Sequence, residues 1–238
     1  MYQISTLVLL PGLDGTGRLF EPIIPLLKPL FEVVVVTYPD LDSFSDYVDC
    51  AQRQLPSTPG FSILAESLSG PVALALMAEQ NNQIGPSILA ATFARSPLPE
   101  LTRMAGYIPE QMFSIGALNE FCLDVYAMDA EDISETQPLP LNVTEQLDGT
   151  LLKNRISTMS RIDVSALLPH IQVPVLYLQA QRDNIVSGSH AIMMQRSLAD
   201  FNIASIDAPH LVLQTQPKRC VELIVRHIQA GTRTLVER

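Results

Sequence analysis

The sequence predicts an α/β fold, a mostly parallel, doubly wound sheet carrying a helical lid. Three observations predict it. Apolar runs of strand character alternate with helical patterns along the chain. Several of the strand runs are continuously apolar, as strands covered on both faces must be. With 238 residues, 47% hydrophobic and only 17% charged, the chain is long and apolar enough to bury one large core.

In chain order, strands are expected at 6–10, 32–38, 61–65, 87–93, 173–179 and 203–207. Helices are expected at 19–27, 44–55, 68–79, 189–198 and 217–230, with Pro217 suited to the first turn of the last one. The rhythm breaks from Pro97 to Ile162, where no strand pattern occurs and Gly106, Pro109, Gly116, Pro138 and Pro140 punctuate short helical patterns. Insertions of that length in a compact domain usually serve function. The expected organisation is therefore a core from residues 1–96 and 163–238, with 97–162 as the lid.

Charge is uneven. Overall it is −10, which disfavours nonspecific binding to nucleic acid phosphates. Between Pro97 and Asp148 the only basic side chain is Arg103, whereas Gly149–Ile162 holds Lys153, Arg155 and Arg161 and no acid. This cluster is either a solvated helix face or a rim for an acidic partner. Cys50, Cys122 and Cys220 are few and widely spaced, which suggests free thiols in a reducing compartment and no metal or disulfide framework. The N-terminal apolar run has no basic residues before it and stops at Pro11-Gly12, so it suits neither a signal peptide nor a membrane span. A cytoplasmic protein is expected.

The chemistry centres on Phe61–Pro71. A strand gives way to a helix within a few residues, so Ser67 at the bend is forced into a strained conformation and projected above the sheet edge. Small residues at Ala65, Ser69 and Gly70 permit the close approach. A serine hydroxyl needs a base, normally a histidine oriented by a carboxylate. His210 follows the last strand and so reaches the same sheet edge, whereas His170 precedes a strand and His190 and His227 fall within helices. Asp183 follows the preceding strand; it could orient His210 or simply cap a turn. Oxyanion donors are expected from the N–H of Leu68, at the helix start, and of Leu13, in the loop Leu10–Gly17. That loop lacks the Lys-Ser/Thr pair of a P-loop and the GxGxxG spacing, which argues against phosphate binding.

The order Ser67, Asp183, His210, with Val173-Pro174-Val175-Leu176 leading to Asp183 and Pro209-His210-Leu211-Val212 around the histidine, resembles the α/β-hydrolase superfamily of esterases and lipases over nearly the whole chain. Three departures stand out. The elbow reads Ala-Glu-Ser-Leu-Ser instead of GxSxG, Pro11-Gly12 replaces the usual His-Gly, and the two leading antiparallel strands are missing. The resemblance implies a serine carboxylesterase with Ser67, Asp183 and His210 as triad, Leu13 and Leu68 as oxyanion donors, and no cofactor or metal. In size and layout the chain is similar to the esterases that demethylate pimeloyl-carrier-protein methyl ester in biotin synthesis. That similarity implies a small or carrier-bound acyl ester as substrate and gives Lys153, Arg155 and Arg161 the role of receiving an acidic acyl carrier protein. Acyl transfer or thioester hydrolysis on the same triad, and a non-catalytic ligand-binding protein, are the alternatives.

Overall fold

The computed structural model describes residues 5–80, 82–97 and 149–236. Six strands, β1 (Thr6–Leu10), β2 (Glu32–Val35), β3 (Ser62–Glu66), β4 (Ser87–Ala90), β5 (Val175–Ala180) and β6 (Phe201–Ile206), form one sheet in the order β2-β1-β3-β4-β5-β6. Every neighbouring pair is parallel. Among the described residues the sheet has no antiparallel strand.

The alternation of side chains along each strand explains why both faces are apolar. Val8, Leu10, Ile63, Ala65, Leu89, Val175 and Tyr177 pack into one core, while Leu7, Leu9, Leu64, Ile88, Ala90, Leu176 and Leu178 pack into the other. Helices α2 (Phe44–Gln52) and α3 (Ser69–Glu79) cover the first face. Ser43 starts α2 by accepting from Asp46 N at 3.3 Å, while its hydroxyl donates to the Asp46 carboxylate at 2.6 Å. On the second face lies the C-terminal helix, which starts at Pro217 as expected and runs on to Val236. The single helix expected at 19–27 is instead a 3-10 turn, Arg18–Phe20, followed by α1 (Ile24–Leu27). Pro22 and Pro25 account for the break: neither has an N–H to donate, and Pro25 fits where it stands, in the first turn of α1.

Most of the expected lid, residues 98–148, lies outside the described residues, as does Cys122. Its return, α4 (Gly149–Met159), is helical. The two ends of the insertion meet: Ser96 N donates to Ile162 O at 2.9 Å, Val164 N donates to Ala94 O at 2.8 Å, and Arg95 and Asp163 form an isolated antiparallel bridge. Helix α5 (Gly188–Gln195) lies between β5 and β6, and α6 (Val212–Thr215) follows β6. Among the described residues no helix is long and apolar enough to cross a membrane.

Topology places the site. The chain steps from β1 outward to β2 and then back across β1 to β3, so the loops after β1 and β3 diverge at a switch point on the carboxyl edge, where α/β sheets bind ligands. Leu10 is in register with Ala65. Two residues beyond each stand Gly12 and Ser67.

Candidate active site

Ser67 has φ 49°, one of only two positive values among described non-glycine residues. Such a conformation costs on the order of 1–3 kcal/mol and persists only where the surroundings impose it. Here they do. Ser67 N donates to Ala90 O at 3.0 Å, Gly70 N donates to Ser67 O at 3.1 Å, and the Thr92 hydroxyl donates to the same carbonyl. Tyr177 fixes Thr92 in turn, its hydroxyl donating to Thr92 O at 2.7 Å and accepting from Thr92 N at 3.1 Å. Gly70 must be glycine because a Cβ there would lie 1.9 Å from the Thr92 hydroxyl. The crowding that demands it comes from the residues after β4, not from β3 as expected.

The structure brings Ser67, His210 and Asp183 together. His210 Nε2 lies 2.9 Å from Ser67 Oγ, and Nδ1 lies 2.8 Å from Asp183 Oδ2. Ionised Asp183 can only accept, so Nδ1 carries the proton and Nε2 is left to accept from the serine hydroxyl. Asp183 fills both of the roles open to it: Oδ1 accepts from Ile185 N and Val186 N, each at 2.8 Å, capping the turn while Oδ2 meets the imidazole. The other histidines lie elsewhere. His170 ends a 3-10 turn ahead of β5, His190 packs edge-on against Phe93, and His227 Nε2 donates to Pro174 O at 3.2 Å. Burial lowers the pKa of His190 and His227.

The loop after β1 lies against the serine. A Cβ on Gly12 would sit 3.5 Å from Ser67 Cβ. Gly12–Gly15 is a turn closed by Gly15 N donating to Gly12 O at 3.1 Å. The peptide is planar and trans, so the Leu13 N–H points opposite to that Gly12 carbonyl, out of the turn. The other expected donor, Leu68, immediately precedes the first residue of α3, where N–H groups lack intrahelical acceptors.

Several residues that sequence reasoning missed hold this loop. The Ser69 hydroxyl donates to Pro11 O and meets the Tyr38 hydroxyl at 3.1 Å, so Ser69 is more than merely small. Asp14 Oδ2 accepts from Thr16 N, Thr16 Oγ1 and Gly17 N at 3.0, 2.6 and 3.0 Å. Asp14 followed by Thr16 was the available signal, since aspartate commonly bonds the backbone two residues on.

Glu66, beside Ser67, is buried. Gln214 Nε2 donates to its Oε1 at 2.9 Å, and among the described residues Oε2 has no hydrogen-bond partner. Burial raises its pKa from 4.5 to about 7, an effect the Gln214 bond and the His210 charge oppose and Asp14 reinforces. A carboxyl whose folded pKa is raised contributes most below the unfolded value, and that contribution is lost as pH climbs through the folded one. Between pH 4.5 and 8, Glu66→Gln should therefore gain stability relative to wild type by roughly 3 kcal/mol. Urea unfolding of both proteins at pH 5 and 8 measures this; parallel pH dependences would contradict it.

Of the three basic residues, Arg161 is exposed and Lys153 half-buried, but Arg155 is only 1% exposed. The expectation that Arg155 stands at an exposed rim is corrected: its guanidinium is spent on backbone carbonyls inside the protein. Among the described residues no group of three or more His, Cys, Asp and Glu side chains is arranged to hold a metal ion.

Neither a protein-family model nor a curated protein sequence matches the chain. Solved structures do. An enol-lactonase from Burkholderia xenovorans LB400 superposes with TM-score 0.83 at 16% identity, covering 95% of this chain and 92% of that one. An esterase from Exiguobacterium antarcticum gives 0.80 at 16% identity, with 94% and 92% covered. An α/β-hydrolase enzyme from a Medee basin deep-sea metagenome library gives 0.78 at 14%, with 95% and 90% covered. The fold of this chain is the α/β-hydrolase fold.

Proposed function

We propose that the protein is a serine hydrolase of carboxylic esters that works through an acyl-enzyme. The observation that carries this reading is the hydrogen-bonded line from Asp183 through His210 to Ser67, at 2.8 and 2.9 Å, ending on a serine held at positive φ beside Gly12. Ser67 Oγ attacks the ester carbonyl as His210 Nε2 takes its proton. Asp183 holds the imidazole tautomer and stabilises the imidazolium, which then returns the proton to the leaving alcohol. The N–H groups of Leu13 and Leu68 receive the oxyanion. Water activated by His210 releases the acid and restores Ser67. Likeness to structures named esterase and enol-lactonase supports cleavage of an acyl–oxygen bond.

Residues 1–96 and 163–238 form the hydrolase core in this reading, and 97–162 cover the site as a lid. The paired chain ends at Ala94–Ser96 and Ile162–Val164 support that division. The buried free thiols of Cys50 and Cys220 suit a cytoplasmic setting. The substrate we propose is a carrier-bound acyl methyl ester, the pimeloyl ester of biotin synthesis, with Lys153 and Arg161 left to receive an acidic carrier.

Hydrolysis of a p-nitrophenyl ester series of increasing acyl length tests the reaction. Turnover on part of the series is expected, and none on any member would contradict the reading. For the carrier, Lys153→Ala with Arg161→Ala should raise KM for a carrier-bound ester roughly 2- to 10-fold at low salt and leave the p-nitrophenyl ester unaffected, since exposed charges act weakly and are screened. Equal effects on both substrates, or none on either, would reduce the pair to a solvated helix face.

A further inference from the structure

Arg155 lies on the buried face of α4, in line with Leu152, Ile156 and Met159, all less than 9% exposed. Burying a cation is costly unless its hydrogen bonds are met, and among the described residues no carboxylate pairs with this one. Its two Nη atoms are met by main-chain carbonyls instead, while Nε is buried with no hydrogen-bond partner among the described residues. Nη1 donates to Leu13 O at 2.8 Å and to Asp14 O, and Nη2 donates to Tyr38 O at 2.9 Å. The guanidinium lies against Gly15, where φ is +64° and a Cβ would fall 2.5 Å from Nη2. Gly15 thus provides both the turn and the space for the arginine.

These bonds bracket one group. The Gly12 carbonyl, on one side of Leu13, is fixed by Gly15 N, and the Leu13 carbonyl, on the other side, is fixed by Arg155. The Leu13 N–H lies in the Gly12–Leu13 peptide plane, which Gly15 N holds through the Gly12 carbonyl. Only the two torsions of Leu13 separate that plane from the next one, which Arg155 holds, so the two bonds together restrict the direction of the N–H. We infer that Arg155 is a positioning residue for the oxyanion hole: α4, at the end of the 97–162 segment, reaches into the core and aims the Leu13 N–H at the reacting oxygen. This inference rests on the hydrolase reading and gives α4 a part in building the site. A planar, five-donor guanidinium suits the task, because it bonds carbonyls in fixed directions where an ammonium does not.

The test compares wild type, Arg155→Met, Arg155→Lys and Arg155→Ala on one p-nitrophenyl ester that wild type hydrolyses, with thermal melts of each. Removing an oxyanion donor costs about 10²–10³ in kcat, so a misaimed one should lower kcat about 10- to 100-fold with KM changed less than about threefold. The rate of fluorophosphonate labelling of Ser67 should fall in step. Millimolar guanidinium ion should restore at least part of the kcat of Arg155→Ala while leaving wild type unchanged. Arg155→Lys keeps the charge and a single donor nitrogen in place of the fork, so it should fold even if the neutral variants do not, and still show the kcat defect. Unchanged kcat in a folded variant overturns the inference, as does a loss shared equally by kcat and melting temperature with no response to guanidinium. A wild type that neither hydrolyses esters nor labels at Ser67 overturns the hydrolase reading and this inference with it. A wild type that does both, beside an Arg155→Lys that matches it, overturns this inference alone.

Discussion

Ser67→Ala removes ester hydrolysis, with an expected loss on the order of 10⁶ in rate, the usual consequence of deleting an activated nucleophile. The fold should be unaffected. Alanine keeps the Cβ that faces Gly12 and meets the positive φ at about the same cost as serine, and the backbone bonds from Ala90, Gly70 and Thr92 do not involve the lost hydroxyl. The measurement is residual turnover beside a melting curve. A folded variant within about tenfold of wild type would show that the reaction runs elsewhere.

His210→Ala should be nearly as damaging, and combining it with Ser67→Ala should add little, because nucleophile and base act as a unit. Asp183→Asn is the more informative change. The amide keeps an oxygen to accept from Ile185 and Val186, so the turn survives. Its NH₂ would face His210 Nδ1 and donate, forcing the proton onto Nε2, which then cannot accept from Ser67. By analogy with serine proteases this costs about 10⁴ in kcat. Steady-state kinetics with circular dichroism checks it; full activity in Asp183→Asn would require another carboxylate to orient the histidine.

The sheet and the Ser67–His210–Asp183 array were legible in the sequence because their signals are local. Each strand is a short apolar run, and each chemical residue follows one, so a parallel sheet delivers all three to the same edge. What the sequence hid depends on contacts distant along the chain. Arg155 reads as one of three solvated charges, yet only it falls on the stripe of Leu152, Ile156 and Met159, while Lys153 and Arg161 do not. That periodicity was present in the sequence, but its target, the carbonyls of Leu13, Asp14 and Tyr38, lies more than a hundred residues away. Thr92 behind Gly70 and Gln214 against Glu66 were hidden for the same reason. The reverse error occurred at 19–27, where apolar periodicity suggested one helix and the prolines prevailed.

In the proposed reaction everything depends on Ser67 acting as a nucleophile activated by its neighbours. The direct measurement is mass spectrometry of the protein after a fluorophosphonate, followed by peptide mapping. One adduct per chain is expected, on the peptide carrying Ser67, formed by wild type and not by His210→Ala on the same timescale. No adduct, or an adduct on another residue with Ser67 unmodified, would contradict it.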